Sequence, residues 1–213
     1  MKASVEKILD ELMSRYPVLL RERDDIAKAY GILSDCFSNG GKLLIGGNGG
    51  SAADSEHIVG ELMKSFVKKR PVDEELKFKL IETAGDDGRR LADKLEGALP
   101  AIAITGHEAL STAYTNDVEG GSIFAQQVFG YGRKGDVFLG ISTSGNSRNV
   151  LDAAITARAV GMRTIGLTGK DGGRLKEVSD CAIIVPENET FKIQELHLPV
   201  YHALCLMLEE TFF

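Results

Sequence analysis

Apolar residues recur along the chain with two different spacings, and each spacing predicts a type of secondary structure. Val5–Met13 and Ile26–Phe37 place apolar residues three and four positions apart, which is typical of amphipathic helices. Ser147–Val160 and Thr190–Glu210 are further predicted helices. Continuous short apolar runs indicate strands buried on both faces, and they lie at Lys42–Gly47, Ala101–Thr105, Val137–Ser142, Thr164–Thr168 and Cys181–Val185.

The order of these elements predicts the fold class. Strands that alternate with helices are typical of a parallel sheet with helices on both faces. We therefore predict an α/β fold with a doubly wound, parallel five-stranded sheet, formed by residues 1–213 as a single domain. The helices within residues 1–38 precede the sheet, and we expect them to serve oligomerisation because an α/β core offers them few partners.

Residues 67–98 differ from the rest of the chain in their density of charge. They include Lys68-Lys69-Arg70 and Asp73-Glu74-Glu75. We interpret this segment as an inserted helical arm or mobile loop whose charged face is solvated. A lid over a binding site is the alternative, with Gly85 and Gly88 as its hinges.

Composition and charge exclude several functional classes. The chain has 213 residues, 43% of them hydrophobic, but no run of the roughly 20 apolar residues that a membrane helix needs. The first seven residues lack the apolar core of a signal peptide, so we expect a cytoplasmic protein. A net charge of −6 makes nucleic acid an unfavourable partner. The chain has three cysteines that are scattered along the sequence, and we expect them to be core residues: Cys36, Cys181 and Cys205.

Two strand-to-helix junctions carry residues suited to binding an anion. In a doubly wound sheet, ligands bind where strand ends meet helix starts. Ser142–Ser147 supplies four hydroxyls and Gly145, and the helix that follows offers unpaired N–H groups to a phosphate. An ordinary capped helix start is the alternative, although one hydroxyl would satisfy a cap. Gly46–Ser51 matches neither a dinucleotide fingerprint nor a P-loop, so we expect no nucleotide cofactor, and Asn48 and Ser51 are candidates for binding sugar hydroxyls.

A small set of side chains on two predicted helices is suited to proton transfer. His57 and Glu61 are four residues apart and share one helix face. Aldose–ketose isomerisation needs a base near the carbon and an acid near the oxygens, and Glu61 with His202 is the natural pair. A surface pair of His57 with Glu61 is one alternative, and a zinc site that adds Gln194 and His202 is another. His197 is expected to be a structural, partly buried ring.

Five motifs taken together resemble a known family. They are Gly46–Ser51, His57–Glu61, Gly140–Ser147, Leu167–Gly173 and Ile193–His202. In combination they resemble the phosphoheptose isomerases, which are single sugar-isomerase (SIS) domain proteins, over about residues 26–208 apart from the charged arm. The resemblance implies a flavodoxin-like three-layer sandwich, a homotetramer with sites at subunit interfaces, and conversion of sedoheptulose 7-phosphate to glycero-manno-heptose 7-phosphate.

The resemblance also implies roles for individual residues. Glu61 matches the family's general base, and His202 matches its partner acid/base. Some members bind zinc through residues that match His57, Glu61, Gln194 and His202. The residues implied to bind substrate and phosphate are Asn48, Gly49, Gly50, Ser51, Ser142, Thr143, Ser144, Ser147 and Gln194.

Three departures from the family pattern leave the identity of the sugar open. Ser65 stands where an arginine is frequent, Gly106-His107-Glu108 stands where an early acidic residue is usual, and the arm at residues 67–98 replaces a short link. The alternatives are an isomerase for another sugar phosphate, a sugar-phosphate sensor, and a non-catalytic SIS protein that binds a protein partner. His202 favours catalysis, because the protein-binding relative lacks the matching histidine.

Overall fold

The computed structural model describes residues 1–213 as nine α-helices around one five-stranded sheet. The strands are β1 (Leu43–Gly47), β2 (Ala101–Ala103), β3 (Val137–Ser142), β4 (Arg163–Thr168) and β5 (Cys181–Ile184). The helices are α1 (Ala3–Arg15), α2 (Arg23–Ser38), α3 (Gly50–Met63), α4 (Glu74–Ala92), α5 (Glu108–Tyr114), α6 (Ile123–Tyr131), α7 (Arg148–Ala159), α8 (Gly173–Val178) and α9 (Thr190–Phe212).

The sheet has the strand order β2-β1-β3-β4-β5, and every neighbouring pair is parallel. The chain runs outward from β1 to β2, then returns to place β3 on the other side of β1. This reversal creates a switch point between β1 and β3, where the loops after the two strands diverge and leave a crevice. The predicted doubly wound, flavodoxin-like sheet is confirmed.

Hydrophobic residues fill both faces of the sheet, which explains the uninterrupted apolar runs of the central strands. Every residue of β1 and β3 is buried. The larger core lies between one face of the sheet and α1, α2, α3 and α9, and the smaller core lies between the opposite face and α6, α7 and α8. The architecture is a three-layer sandwich, as predicted.

The two N-terminal helices belong to the larger core. Val5 and Leu9 of α1, with Ile26 of α2, are fully buried, and both helices pack against α9. The expectation that these helices find few partners within the chain is therefore wrong, because the 23-residue α9 covers their apolar faces. A role in oligomerisation remains a prediction. None of the helices combines the length and the apolar character needed to cross a membrane.

The charged insertion is helical and largely exposed. Its helix α4 kinks at Ala84 and Gly85, and Gly85 takes a φ of 54° that favours glycine. Gly88 is buried, and a Cβ added there would clash with the Leu80 carbonyl oxygen, so the two arms of the kinked helix pack closely at this position. Beyond the helix, the two ends of the insertion meet through an antiparallel bridge between Pro71 and Glu96.

Candidate active site

The loops after β1 and β3 enclose a cleft of about 320 Å³ at the carboxyl end of the sheet. Eight of the nine residues predicted to bind substrate or phosphate line it. The exception is Ser144, whose Oγ accepts a hydrogen bond from the backbone N–H of Asn146 at 3.2 Å. No residue of the 67–98 insertion lines the cleft. The lining residues are Asn48, Gly49, Gly50, Ser51, Ile141, Ser142, Thr143, Ser147, Thr190 and Gln194.

Two helices begin at this cleft without a side-chain cap. The residue before α3 is Gly49, with φ 56° and ψ −120°, which has no side chain to form a cap, and the residue before α7 is Ser147, whose side chain accepts no hydrogen bond from the helix. Ser147 Oγ instead lies 3.0 Å from Ser142 Oγ. The alternative of an ordinary capped helix start is therefore not what the structure shows. The positive ends of two helix dipoles, together with N–H groups in the first turn of α7, make the cleft a site for an anion.

Glycines allow the loops of the cleft to pack closely. A Cβ on Gly50 would lie 2.5 Å from Gln194 Nε2, so the absence of a side chain lets the Gln194 amide reach the first loop. Gly145 has a φ of 64°, and a Cβ there would lie 1.9 Å from the Gly172 carbonyl oxygen. The Leu167–Gly173 motif thus supports the hydroxyl-rich loop from behind.

Sequence reasoning missed two residues at the cleft. Thr190 lines it from the first turn of α9. Asn149 holds Asn48 through a reciprocal pair of amide hydrogen bonds of 2.9 and 2.8 Å. Thr190 could have been found, because its hydroxyl stands at the start of a predicted helix. Asn149 could not, because it lies 101 residues from Asn48 and no local pattern indicates their contact.

The proton-transfer residues meet between α3 and α9. His57 Nε2 lies 3.2 Å from Glu61 Oε1 and 3.4 Å from His202 Nε2. Burial lowers the pKa of His202, and the nearby His57 and Arg15 act in the same direction against the opposing effect of Glu61. His202 is therefore neutral at neutral pH and able both to accept and to donate a proton.

A hydrogen-bonded chain orients His57. The Tyr201 hydroxyl donates to Asp54 Oδ1 at 3.2 Å and lies 3.0 Å from His57 Nδ1. The hydroxyl thus links Asp54 to His57 Nδ1, and the other ring nitrogen of His57, Nε2, faces Glu61 and His202. Burial raises the pKa of Asp54, and its Oδ2 is buried without a partner. Neither Asp54 nor Tyr201 was singled out from the sequence.

The cleft and the proton-transfer residues lie at different levels of the same helices. Gln194 and His202 are eight residues apart on α9, which is about 12 Å along a helix axis. Gly50 and Glu61 are eleven residues apart on α3, or about 16 Å. His202 borders a separate cavity of about 180 Å³ between α1 and α9, together with Arg15. One chain alone therefore does not bring the phosphate cleft and the proton-transfer pair into a single pocket.

The four residues named for zinc form no evident metal site in this structure. His57, Glu61 and His202 are neighbours, but no group of three or more His, Cys, Asp or Glu side chains is arranged to hold a metal ion. Gln194 lies in the phosphate cleft, about two helical turns from His202.

The prediction that the three cysteines are core residues is confirmed, because all three are buried and free. His197 is fully rather than partly buried; its Nε2 donates to the Thr168 carbonyl oxygen at 3.2 Å, its Nδ1 has no partner, and burial lowers its pKa to about 4. His107 packs near Tyr131, with 5.7 Å between ring centroids, and does not line the cleft.

Known proteins similar to this chain in sequence and fold include several phosphoheptose isomerases. The family profile described as the SIS domain matches residues 9–96 and 91–169. The phosphoheptose isomerase of Nitratiruptor sp. is 40% identical over 209 residues, covering 98% of each chain. A solved phosphoheptose isomerase from Francisella tularensis superposes with a TM-score of 0.74 at 31% identity, over 98% of this chain and all of that one.

A second solved structure agrees with the first. The phosphoheptose isomerase of Neisseria gonorrhoeae superposes with a TM-score of 0.71 at 32% identity, covering 97% of this chain and 94% of that one. Identity at this level over nearly the whole chain establishes common descent as well as a common fold. The chain therefore belongs to the phosphoheptose isomerase family of SIS-domain proteins.

Proposed function

We propose that this protein is an aldose–ketose isomerase that converts sedoheptulose 7-phosphate to D-glycero-D-manno-heptose 7-phosphate through an enediol. Membership of the phosphoheptose isomerase family supports the reaction class. The observation that carries the proposal is the cleft at the ends of β1 and β3, where two uncapped helix N-termini meet a set of hydroxyls. This arrangement fits a phosphate monoester.

Phosphate binding is assigned to the second loop and sugar binding to the first. Ser142, Thr143 and Ser147 offer hydroxyl donors beside the N-terminus of α7, and Ser144 is close by in sequence. Asn48 and Gln194 offer amide groups to sugar hydroxyls. Gly49, Gly50 and Ser51 complete the cleft at the start of α3, where the helix dipole favours an anion. These contacts would fix the sugar by its far end and leave its first two carbons free for chemistry.

The chemistry requires only transfer of protons. The Glu61 carboxylate takes a proton from C1 of the ketose, and the electron pair forms the C1–C2 double bond of an enediol. Neutral His202 gives a proton to the oxygen on C2 and accepts one from the oxygen on C1. Glu61 then returns its proton to C2, so the product is an aldehyde at C1 and a hydroxyl at C2, with both protein groups restored. His57, which contacts both residues, keeps them in place.

We further propose a homotetramer in which the cleft of one subunit faces Glu61 and His202 of another. The separation of the two groups along α3 and α9 supports this arrangement. Mixing two inactive variants would test it. A Ser142→Ala/Ser147→Ala protein co-refolded with a Glu61→Gln protein should regain part of the activity, because hybrid oligomers contain intact sites. Sites confined to single chains would give no recovery.

Zinc bound by His57, Glu61, Gln194 and His202 is proposed on the family resemblance alone. The placement of Gln194 in the phosphate cleft does not fit a set closed around one ion, so no step above is assigned to a metal. Elemental analysis of protein purified without chelator or added zinc decides the question.

A cytoplasmic location is also proposed, with support from three free, buried thiols of the kind found in reducing compartments.

Incubation of the pure protein with sedoheptulose 7-phosphate, followed by NMR, tests the function. The proposal predicts formation of the aldose by the wild-type protein and loss of turnover in both Glu61→Gln and His202→Ala. Tight binding without turnover would indicate a sensor, and neither binding nor turnover would indicate a protein-binding relative. Turnover of a different sugar phosphate only would change the proposed substrate, while the proposed isomerisation chemistry would stand.

A further inference from the structure

A buried ion pair joins the start of the insertion to the last helix. The side chains of Arg70 and Glu209 have exposed fractions of 0% and 2%, and Arg70 Nε donates to Glu209 Oε1 at 2.7 Å. The Arg70 guanidinium also lies over the Phe213 ring, 4.7 Å from its centroid. Burying two charges has a large desolvation cost, and apolar replacements of such pairs are often neutral or stabilising. Stability alone is therefore a weak explanation for this pair.

The remaining donors of Arg70 reach the end of α3, where Glu61 lies. Arg70 Nη2 donates to the Glu61 carbonyl oxygen at 3.0 Å, and Nη1 donates to the Leu62 carbonyl oxygen at 2.9 Å. These carbonyls are among the last four of α3, which ends at Met63, so they have no partner within the helix. A cation at this end also complements the helix dipole. One guanidinium thus caps the helical turn that carries the candidate base.

Glu209 keeps the guanidinium at this position. Its carboxylate accepts hydrogen bonds from the backbone N–H groups of Phe66, Val67 and Lys68 at 3.0 to 3.1 Å, in addition to the one from Arg70. The chain between α3 and Arg70 is therefore wrapped around Glu209. The Glu61 turn, this connecting segment and the C-terminal end of α9 form one hydrogen-bonded unit.

We propose that Arg70 is a positioning residue that fixes Glu61 for proton abstraction by holding the C-terminal turn of α3. The proposal rests on the proposed function, since it takes Glu61 as the base. It assigns Arg70 no contact with substrate. Lysine is not an adequate substitute, because a single ammonium does not reproduce the planar fork that serves Glu209 and two carbonyls at once.

Steady-state kinetics of Arg70→Lys test the proposal. The charge opposite Glu209 is kept, so the variant should fold, but the hold on the Glu61 turn is lost. We expect kcat to fall about 10- to 100-fold, because small displacements of a catalytic group have effects of this size. KM should change by less than about 3-fold, since the phosphate cleft is at the other end of α3. An unchanged kcat would overturn the proposal.

Asp136→Asn is the matched control. Asp136 is buried and paired with Lys42 at the amino ends of β1 and β3, which is the end of the sheet opposite the cleft. This variant should lose stability as Arg70→Lys does and retain kcat. An equal loss of kcat in both variants would mean that Arg70 acts through general stability only and would overturn the proposal. Should Arg70→Lys fail to fold, Glu209→Gln takes its place, with a smaller loss of kcat expected.

Hydrogen–deuterium exchange separates this proposal from the proposed function. The amides of Glu61 to Met63 should exchange faster in Arg70→Lys than in the wild-type protein, while those of Gly50 to Ser55 should not change. Unchanged exchange at Glu61 to Met63 would overturn the positioning role. If Arg70→Lys exchanges faster at these amides but the wild-type protein turns over no sugar phosphate, the result would support the hold of Arg70 on this turn. It would overturn only the proposed function.

Discussion

A hydrogen bond of 3.0 Å joins the Tyr201 hydroxyl oxygen to His57 Nδ1. Through it, the half-buried Asp54 is connected to the imidazole that contacts both Glu61 and His202. Tyr201, the neighbour of the proposed acid/base His202, thus contacts a second histidine on another helix. Such outer contacts commonly fix the tautomer and direction of an imidazole at a working site.

Replacement of Tyr201 by Phe should lower kcat about 10-fold, because His57 would lose the contact that fixes its ring while the aromatic packing is kept. Stability should fall by about 1 to 2 kcal/mol, since Asp54 Oδ1 would lose its partner in a buried site. Turnover assays and thermal denaturation measure the two effects. Tyr30→Phe is the control, because it also removes a hydroxyl contact, to Thr211 Oγ1 at 2.7 Å. Equal kcat values for the two variants would contradict the role of Tyr201.

Removal of the Asn149 amide by Asn149→Ala should raise KM for the sugar phosphate about 10-fold with a small effect on kcat. Asn48 would lose both of its hydrogen bonds to this side chain and would no longer be held at the cleft. Asn39→Ala is the control, because Asn39 is exposed at the end of α2 and bonds only to its own helix. A KM unchanged in Asn149→Ala would show that Asn48 needs no such support.

Glu209 should make stability depend on pH in the acid range. Burial alone would raise the pKa of Glu209, but hydrogen bonds from Phe66, Lys68, Val67 and Arg70 outweigh it and the net pKa is lowered. In the unfolded chain the carboxyl titrates near its usual value of about 4.3. As pH falls below that value, the unfolded state binds the proton first, so the wild-type protein loses stability towards the lowered native pKa.

Glu209→Gln has no such titration. At neutral pH we expect it to be less stable than the wild-type protein by about 3 kcal/mol, because Arg70 would stay buried without its counter-charge. The difference in unfolding free energy between the two proteins should shrink as pH falls from about 6 to about 3. Denaturant titrations at a fixed protein concentration measure it. A difference that stays constant or grows on acidification would contradict the lowered pKa.

The fold and the phosphate cleft could be predicted because their signals are local. Continuous apolar runs such as Val137–Ser142 arise only where a strand is covered on both faces, and the hydroxyls that follow stand directly at the helix start. The same holds for His57 and Glu61, whose spacing of four places them on one helix face. The residues that line the cleft and the pairing of His57 with Glu61 could therefore be identified from the sequence.

The contacts that organise the site were not predictable, because they join distant parts of the chain. Arg70 and Glu209 are 139 residues apart, and Tyr201 and Asp54 are 147 apart. No periodicity encodes such partners. From the sequence, an arginine within a run of charged residues cannot be identified as buried rather than solvent-exposed. The partnering of the N-terminal helices was mispredicted for the same reason, since it depends on the return of α9 across the sheet.

Isomerisation in D₂O tests the central claim most directly. If Glu61 carries the proton between C1 and C2, exchange of that proton with solvent at the enediol stage should leave deuterium at C2 of part of the aldose that wild-type protein forms from sedoheptulose 7-phosphate, as read by NMR. Glu61→Gln should form neither product nor deuterated ketose. Wild-type rates of product formation or of deuterium uptake in Glu61→Gln would contradict proton transfer by this carboxylate.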